Sequence, residues 1–158
     1  MSNDELVKAL IKRAKKLGVT VATAESITGG GLGEAITAVA GSSDIYLGGV
    51  IAYSDATKVS HLGVPKRILT KHTAVSEEVA ILMAEKVRAE FKADYGISTT
   101  GVAGPGKAYG QRAGTVWIGI ASKRESAAFQ LALSGDRASV RQAVIESAIA
   151  AFTRILSS

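Results

Sequence analysis

The stretch TVATAESITGG, residues 20–30, decides how the rest of the chain is read. Its apolar part, with Val19 before it, predicts a short buried strand over 19–24. The strand breaks into Glu25-Ser26, and three glycines follow at 29–31. Glycine loses more backbone freedom on folding than any other residue, so such a run needs a cause. One reading makes Ser26 the N-cap of the next helix. The other makes it a hydroxyl at the edge of a site, beside a glycine-opened helix start whose amides hold an oxyanion or phosphate.

Working outward, Ser2 to Glu5 reads as a capping box that opens a helix. Leu6, Val7, Leu10, Ile11, Ala14 and Leu17 recur at helical spacing before Gly18 stops it. A helix over about 30–39 follows the glycine turn. A second strand is expected over 46–54, with Gly48-Gly49 marking a bulge. Short helices near 55–61 and after Pro65 come next. A stronger helix starts at Ser76, with Val79, Met83, Val87 and Phe91 on one stripe. A third strand, ADYGISTTG, ends in a glycine-rich loop over 101–114. A hairpin turns around Lys123-Arg124. The last helix, about 137–156, presents Val140, Val144, Ala148, Phe152 and Ile155 on one face. Helices alternating with strands predict an α/β domain with helices on both faces of a mixed sheet.

The 158 residues suit a single domain, taken as 1–158, and 47% hydrophobic content makes it globular. No apolar run reaches membrane-spanning length, and the opening segment lacks a signal-peptide core. A cytoplasmic protein is expected. With no cysteine and two scattered histidines, thiolate chemistry and a structural zinc site drop out. The net charge of +5 favours anionic partners. Low aromatic content, 5%, argues against nucleic acid, and the five basic residues of the first helix read as a solvated face. The segment LGGVIA points to a homodimer.

Three expected strands end in polar or glycine-containing segments: residues 25–30, 52–54 and 99–101. If the strands are parallel, these ends share one rim, where α/β sheets bind ligands. The match of Gly101 to Lys107 with a triphosphate loop fails, because Ala108 replaces the magnesium-binding hydroxyl and no helix follows. Ser26 has no histidine base in evident reach. A lysine with its pKa lowered by burial can serve instead, and Lys58 is the candidate, with Tyr53 at the end of the second strand. From spacing alone, Lys58 reads first as a surface lysine on a short helix and Tyr53 as a strand-end packing residue. Arg137 falls in the first turn of the last helix, where a cation opposes the helix dipole by about 0.3–1 kcal/mol. A bound anion, or a local pair with Asp136, would offset that.

The blocks TAESITGGGLG, GSSDIYLGGVIAYSDATKVSHLGV, HTAVSEEVAILMA, TTGVAGPG, GTVWIGIA and SGDRASVRQAVI occur in order over residues 20–150. Together they resemble the CinA C-terminal domain family, the nicotinamide-nucleotide amidohydrolases. The resemblance implies a three-layer α/β/α sandwich around a mixed, mostly parallel sheet. It also implies hydrolysis of the carboxamide of nicotinamide mononucleotide to nicotinate mononucleotide and ammonia, with no metal and no cofactor. By motif, Ser26 becomes the nucleophile, Lys58 its base and Tyr53 a support. Thr28, Gly29, Gly30, Thr100, Gly101 and Gly104 fall to the pocket. Arg137, ahead of Arg141, falls to the substrate phosphate. Three segments depart from the family pattern. Ile27 stands where cysteine is usual, Asp55-Ala56 where Asn-Glu is usual, and KAYGQRAG replaces a glycine-rich loop.

Overall fold

The computed structural model describes all 158 residues. Five strands form one sheet in the order β2-β1-β3-β4-β5. They are β1 (Val21–Glu25), β2 (Tyr46–Ile51), β3 (Tyr95–Gly101), β4 (Thr115–Ala121) and β5 (Ser126–Ala132). The trio β1, β2 and β3 is parallel, and β4 and β5 add an antiparallel hairpin. On one face lie α1 (Asn3–Leu17), α2 (Gly31–Thr37) and α6 (Arg137–Leu156). On the other lie α3 (Asp55–Leu62), α4 (Lys66–His72) and α5 (Glu77–Phe91). Each face has its own core. Val7, Leu32, Ile97, Ile118 and Phe152 belong to the first, and Ala24, Leu62, Leu69, Val79 and Met83 to the second. Burying one such large side chain contributes about 1.5–3 kcal/mol. This is the α/β/α sandwich expected from the sequence.

Most local expectations hold. The capping box at Ser2 is formed in both directions, Ser2 N–H to Glu5 Oε2 at 2.8 Å and Glu5 N–H to Ser2 Oγ at 3.2 Å. The bulge falls where the paired glycines put it. Val21 pairs with Tyr46 but Ala22 with Gly48, so Leu47 is passed over. Two expected core positions are exposed, Leu17 at 46% and Ile155 at 40%. In α6 the apolar stripe advances by four residues, so Leu156, not Ile155, continues it from Phe152 into the core. The second strand stops at Ile51, three residues short of the expected end. No helix is long and apolar enough to cross a membrane.

Two features of this architecture place the site. The three parallel strands bring residues 25–30, 52–54 and 99–101 to one rim, as the sequence required. Because β4 runs back, the 102–114 loop also lies at that rim. The return of β5 then starts α6, and hence Arg137, there too.

Helix α5 approaches β3 and β4 unusually closely. A Cβ built on Gly96 would overlap the Ala84 carbonyl oxygen, and one on Gly119 that of Ala80. Both obstacles are helix backbone and cannot swing away. Gly96→Ala should therefore lower stability by about 1–3 kcal/mol, read as an earlier urea midpoint. An unchanged midpoint would contradict this packing.

Candidate active site

The central pair is Lys58 and Ser26. Ser54 caps α3 by accepting the Thr57 N–H at 3.1 Å, and one turn on the helix carries Lys58 inward. Lys58 is 0% exposed. Its Nζ lies 2.9 Å from Ser26 Oγ, 2.9 Å from the Ala52 carbonyl and 3.0 Å from that of Tyr53. No carboxylate pairs with it. Burial pushes its pKa below the usual lysine value, and the charge of nearby Asp55 partly opposes the shift. Nζ donates to all three partners, and Ser26 Oγ in turn donates to the Tyr53 carbonyl at 3.3 Å. Once deprotonated, the amine can keep its two donations to the carbonyls and turn its lone pair to the serine hydroxyl. Ser26 is anchored by its own N–H, which donates to the Thr99 carbonyl at 2.9 Å.

The glycine run serves Glu25. This buried carboxylate accepts the N–H groups of Gly30 at 3.2 Å, Leu32 at 2.8 Å and Gly33 at 3.0 Å. It also accepts the Thr28 hydroxyl at 2.6 Å. Gly29 and Gly30 take positive φ, 57° and 100°, so that the turn can wrap it. The expectation that amides near Gly29–Gly31 hold a substrate oxyanion is therefore corrected. Gly29 N–H donates to Ser26 O, Gly30 N–H to Glu25 and Gly31 N–H to Thr28 O. An internal anion already occupies the helix start, and Ser26 is not its N-cap, which is Gly30.

A cavity of about 290 Å³ opens beside Ser26. It is lined by Ser26, Ile27, Tyr53, the run Gly101 to Tyr109, and Arg137. Gly101, Gly104 and Arg137 are thus where the sequence put them. Four other expected pocket residues are not. Gly29 and Gly30 belong to the Glu25 turn, and Thr28 bridges Glu25 and Thr99. Thr100 turns away, donating to the Ala74 carbonyl at 2.7 Å. The two arginines also separate. Arg137 donates to Tyr53 OH at 3.1 Å and to the Gly104 carbonyl at 2.8 Å. Arg141 clamps the serine turn instead, donating to the carbonyls of Ile27 at 3.1 Å and Thr28 at 3.0 Å. Asp136 pairs with neither arginine, because its carboxylate caps α6 through the Ser139 N–H at 2.8 Å.

Tyr53 contributes differently from expectation. The residue is 57% exposed and lines the cavity, and it is its main-chain carbonyl that contacts Lys58 and Ser26. Sequence reasoning missed the part played by Glu25. The signal was present: an acid just ahead of a glycine-opened helix start complements the helix dipole.

The CinA C-terminal domain model matches residues 3–156. The chain belongs to the CinA C-terminal domain family. A Geobacillus kaustophilus relative, provisionally named a competence-damage inducible protein, is 47% identical over 88% of this chain. The match covers 34% of that relative, so the chain spans about a third of its length. The crystal structure of competence damage-inducible protein A from Klebsiella pneumoniae superposes with a TM-score of 0.97 at 32% identity, covering 99% of this chain and 98% of that one. The competence/damage inducible protein CihA of Agrobacterium tumefaciens gives 0.93 at 30% identity, covering 100% of both chains.

Glu25→Gln tests the turn in this CinA domain. An amide offers only one acceptor oxygen and turns an NH₂ against an N–H donor. Leaving such a buried donor unpaired costs about 1–3 kcal/mol. Chemical denaturation of Glu25→Gln should register a loss of that size, and full native stability would count against the anion-centred turn.

Proposed function

We propose that this chain hydrolyses the carboxamide of nicotinamide mononucleotide to nicotinate mononucleotide and ammonia, in cytoplasmic pyridine nucleotide recycling. The observation that carries the proposal is the buried amine of Lys58, 2.9 Å from Ser26 Oγ, at a cavity that also holds Arg137. The cavity, about 290 Å³, is at the small end of ligand pockets and favours a mononucleotide over a dinucleotide.

In the proposed reaction, neutral Lys58 takes the Ser26 proton as Oγ bonds to the amide carbon, and the carbonyl electron pair moves onto its oxygen. Collapse of the adduct breaks the C–N bond. Lys58 returns its proton to the departing nitrogen, ammonia leaves, and an ester remains on Ser26. Water then attacks the ester, Lys58 again taking a proton and passing it to Oγ. Donors for the oxyanion come from cavity-lining amides that make no hydrogen bond within the chain, among them Ile27 next to Ser26 and Ala103 and Gly106 on the loop after β3. Arg137 keeps guanidinium N–H groups beyond its two bonds and supports the phosphate.

Ammonia release from nicotinamide, its riboside and its mononucleotide, assayed side by side, tests the reading. Turnover should be greatest with the mononucleotide. Lys58→Met should reduce it by about 100-fold or more with the circular dichroism spectrum retained, and Ser26→Ala should do the same. Native-like turnover in Ser26→Ala would end the nucleophile role. Binding of the mononucleotide without ammonia would favour the alternative, a non-catalytic nucleotide-binding module. The departures at Ile27, Asp55 and 107–113 give that alternative its motive.

The pH profile gives a second check. Only the neutral amine accepts the serine proton, so the rate should rise with pH through the lowered pKa of Lys58. Asp55 raises that pKa. Asp55→Asn removes the charge, so the rising limb should move to lower pH. A limb that stays in place would separate the profile from Lys58.

A further inference from the structure

The loop from β3 to β4 contains a turn that its own sequence disfavours. Ala108 N–H donates to Gln111 O at 3.0 Å, and Gln111 N–H donates to Ala108 O at 2.9 Å. The two residues between them, Tyr109 and Gly110, have φ of 54° and 72°. This is a type I′ hairpin tip, whose first central position normally takes Asn, Asp or Gly. A tyrosine held there costs about 1–2 kcal/mol. The ring is retained by contacts outside the turn. Its hydroxyl donates to Asp55 Oδ1 at 3.2 Å, at the start of α3. Gln111 Nε2 ties the same tip to the Val75 carbonyl at 2.7 Å.

The result is a cavity wall. Tyr109 lines the cavity with Tyr53 and Lys107. Lys107 and Arg137 are cations in that lining, which contains no carboxylate. Lys107 makes no ion pair and no side-chain hydrogen bond to the protein, while Arg137 is already held by Tyr53 and Gly104. The nearby acid, Asp55, is engaged by Tyr109. An unpaired amine and a fixed guanidinium lining one cavity match a dianionic phosphomonoester. Two phenol rings at the mouth match an aromatic base, and a cationic pyridinium especially.

We propose that Lys107 and Tyr109 set the ligand specificity of this chain, Lys107 reading a phosphomonoester together with Arg137 and Tyr109 walling the base. The inference rests on the proposed function for the identity of the base, but not for the chemistry of the ligand. Both residues lie in the segment KAYGQRAG, where this chain departs from the glycine-rich family loop.

Titration calorimetry on the Ser26→Ala protein separates ligand reading from turnover. Nicotinamide mononucleotide should bind at least about tenfold tighter than nicotinamide riboside. Lys107→Ala should narrow that gap by about tenfold at low salt without changing riboside binding, and Lys107→Arg should restore it. Tyr109→Asn suits the turn better, so its thermal midpoint should stay level or rise while both ligands bind about tenfold more weakly. A parent protein without a phosphate preference, including one that binds neither ligand, would overturn the inference. So would a Lys107→Ala loss shared equally by both ligands, or a Tyr109→Asn protein that loses stability but keeps affinity. A Lys107-dependent gap in a protein that releases no ammonia would defeat the amidase reading and leave this inference standing. Ammonia release with a gap indifferent to Lys107 would do the reverse.

Discussion

A buried amine with no carboxylate partner is the constraint around which this CinA domain is arranged. Removing an ammonium from water costs several kcal/mol unless the group is paired or neutral. Lys58 is held by two main-chain carbonyls and one hydroxyl. Those carbonyls belong to Ala52 and Tyr53, the residues just beyond β2, and the hydroxyl belongs to Ser26, just beyond β1. The ladder extends past β2 through Ala52 N–H to Glu25 O at 2.8 Å, and past β1 through Ser26 N–H to Thr99 O at 2.9 Å. The meeting of residues 26 and 58 is thus set by the register of two parallel strands. A slip of one residue would turn every side chain of the strand to the other face. The bulge at Leu47 lies at the opposite end of β2, so it does not disturb the register where the site is built.

Glu25 gives the same rim its second fixed point. A carboxylate that gathers three amides and a hydroxyl turns the helix start into a closed structural unit. Arg141 closes it from α6 by holding the carbonyls of Ile27 and Thr28. The serine turn is therefore gripped by its donors on one side and its acceptors on the other. Such a shell keeps the Ser26 hydroxyl in place at the cavity edge.

The layer order, the hairpin, the capping box and the convergence of strand ends were legible in the sequence, because each depends on periodicity or local turn chemistry. The site was legible by residue type more than by role. Spacing alone left Lys58 open to a surface reading, since α3 is only eight residues long and its inward face is defined by what packs on it. Arg137 and Arg141 are one turn apart, and only the position of α6 decides which reaches the cavity. Tyr53 acts on Lys58 through its carbonyl, a contribution no side-chain identity reveals. The glycine run after Ser26 reads in the sequence as holding a substrate oxyanion or phosphate, but the anion it wraps is the chain's own Glu25.

That last point changes where recognition must occur. With the helix-start amides committed to Glu25, the remaining free amides and the unpaired cation of the cavity lie mostly on the loop after β3. This loop carries the residues that imitate a triphosphate loop, yet Lys107 is followed by a hairpin tip instead of a helix. An anion there meets side-chain charge instead of a helix dipole. Lysine and tyrosine on a hairpin tip can be exchanged without touching the sheet register or the Ser26–Lys58 pair. The rigid strand ends thus hold the Ser26–Lys58 pair, while the cavity wall beside it is built from a segment the fold can vary at little cost.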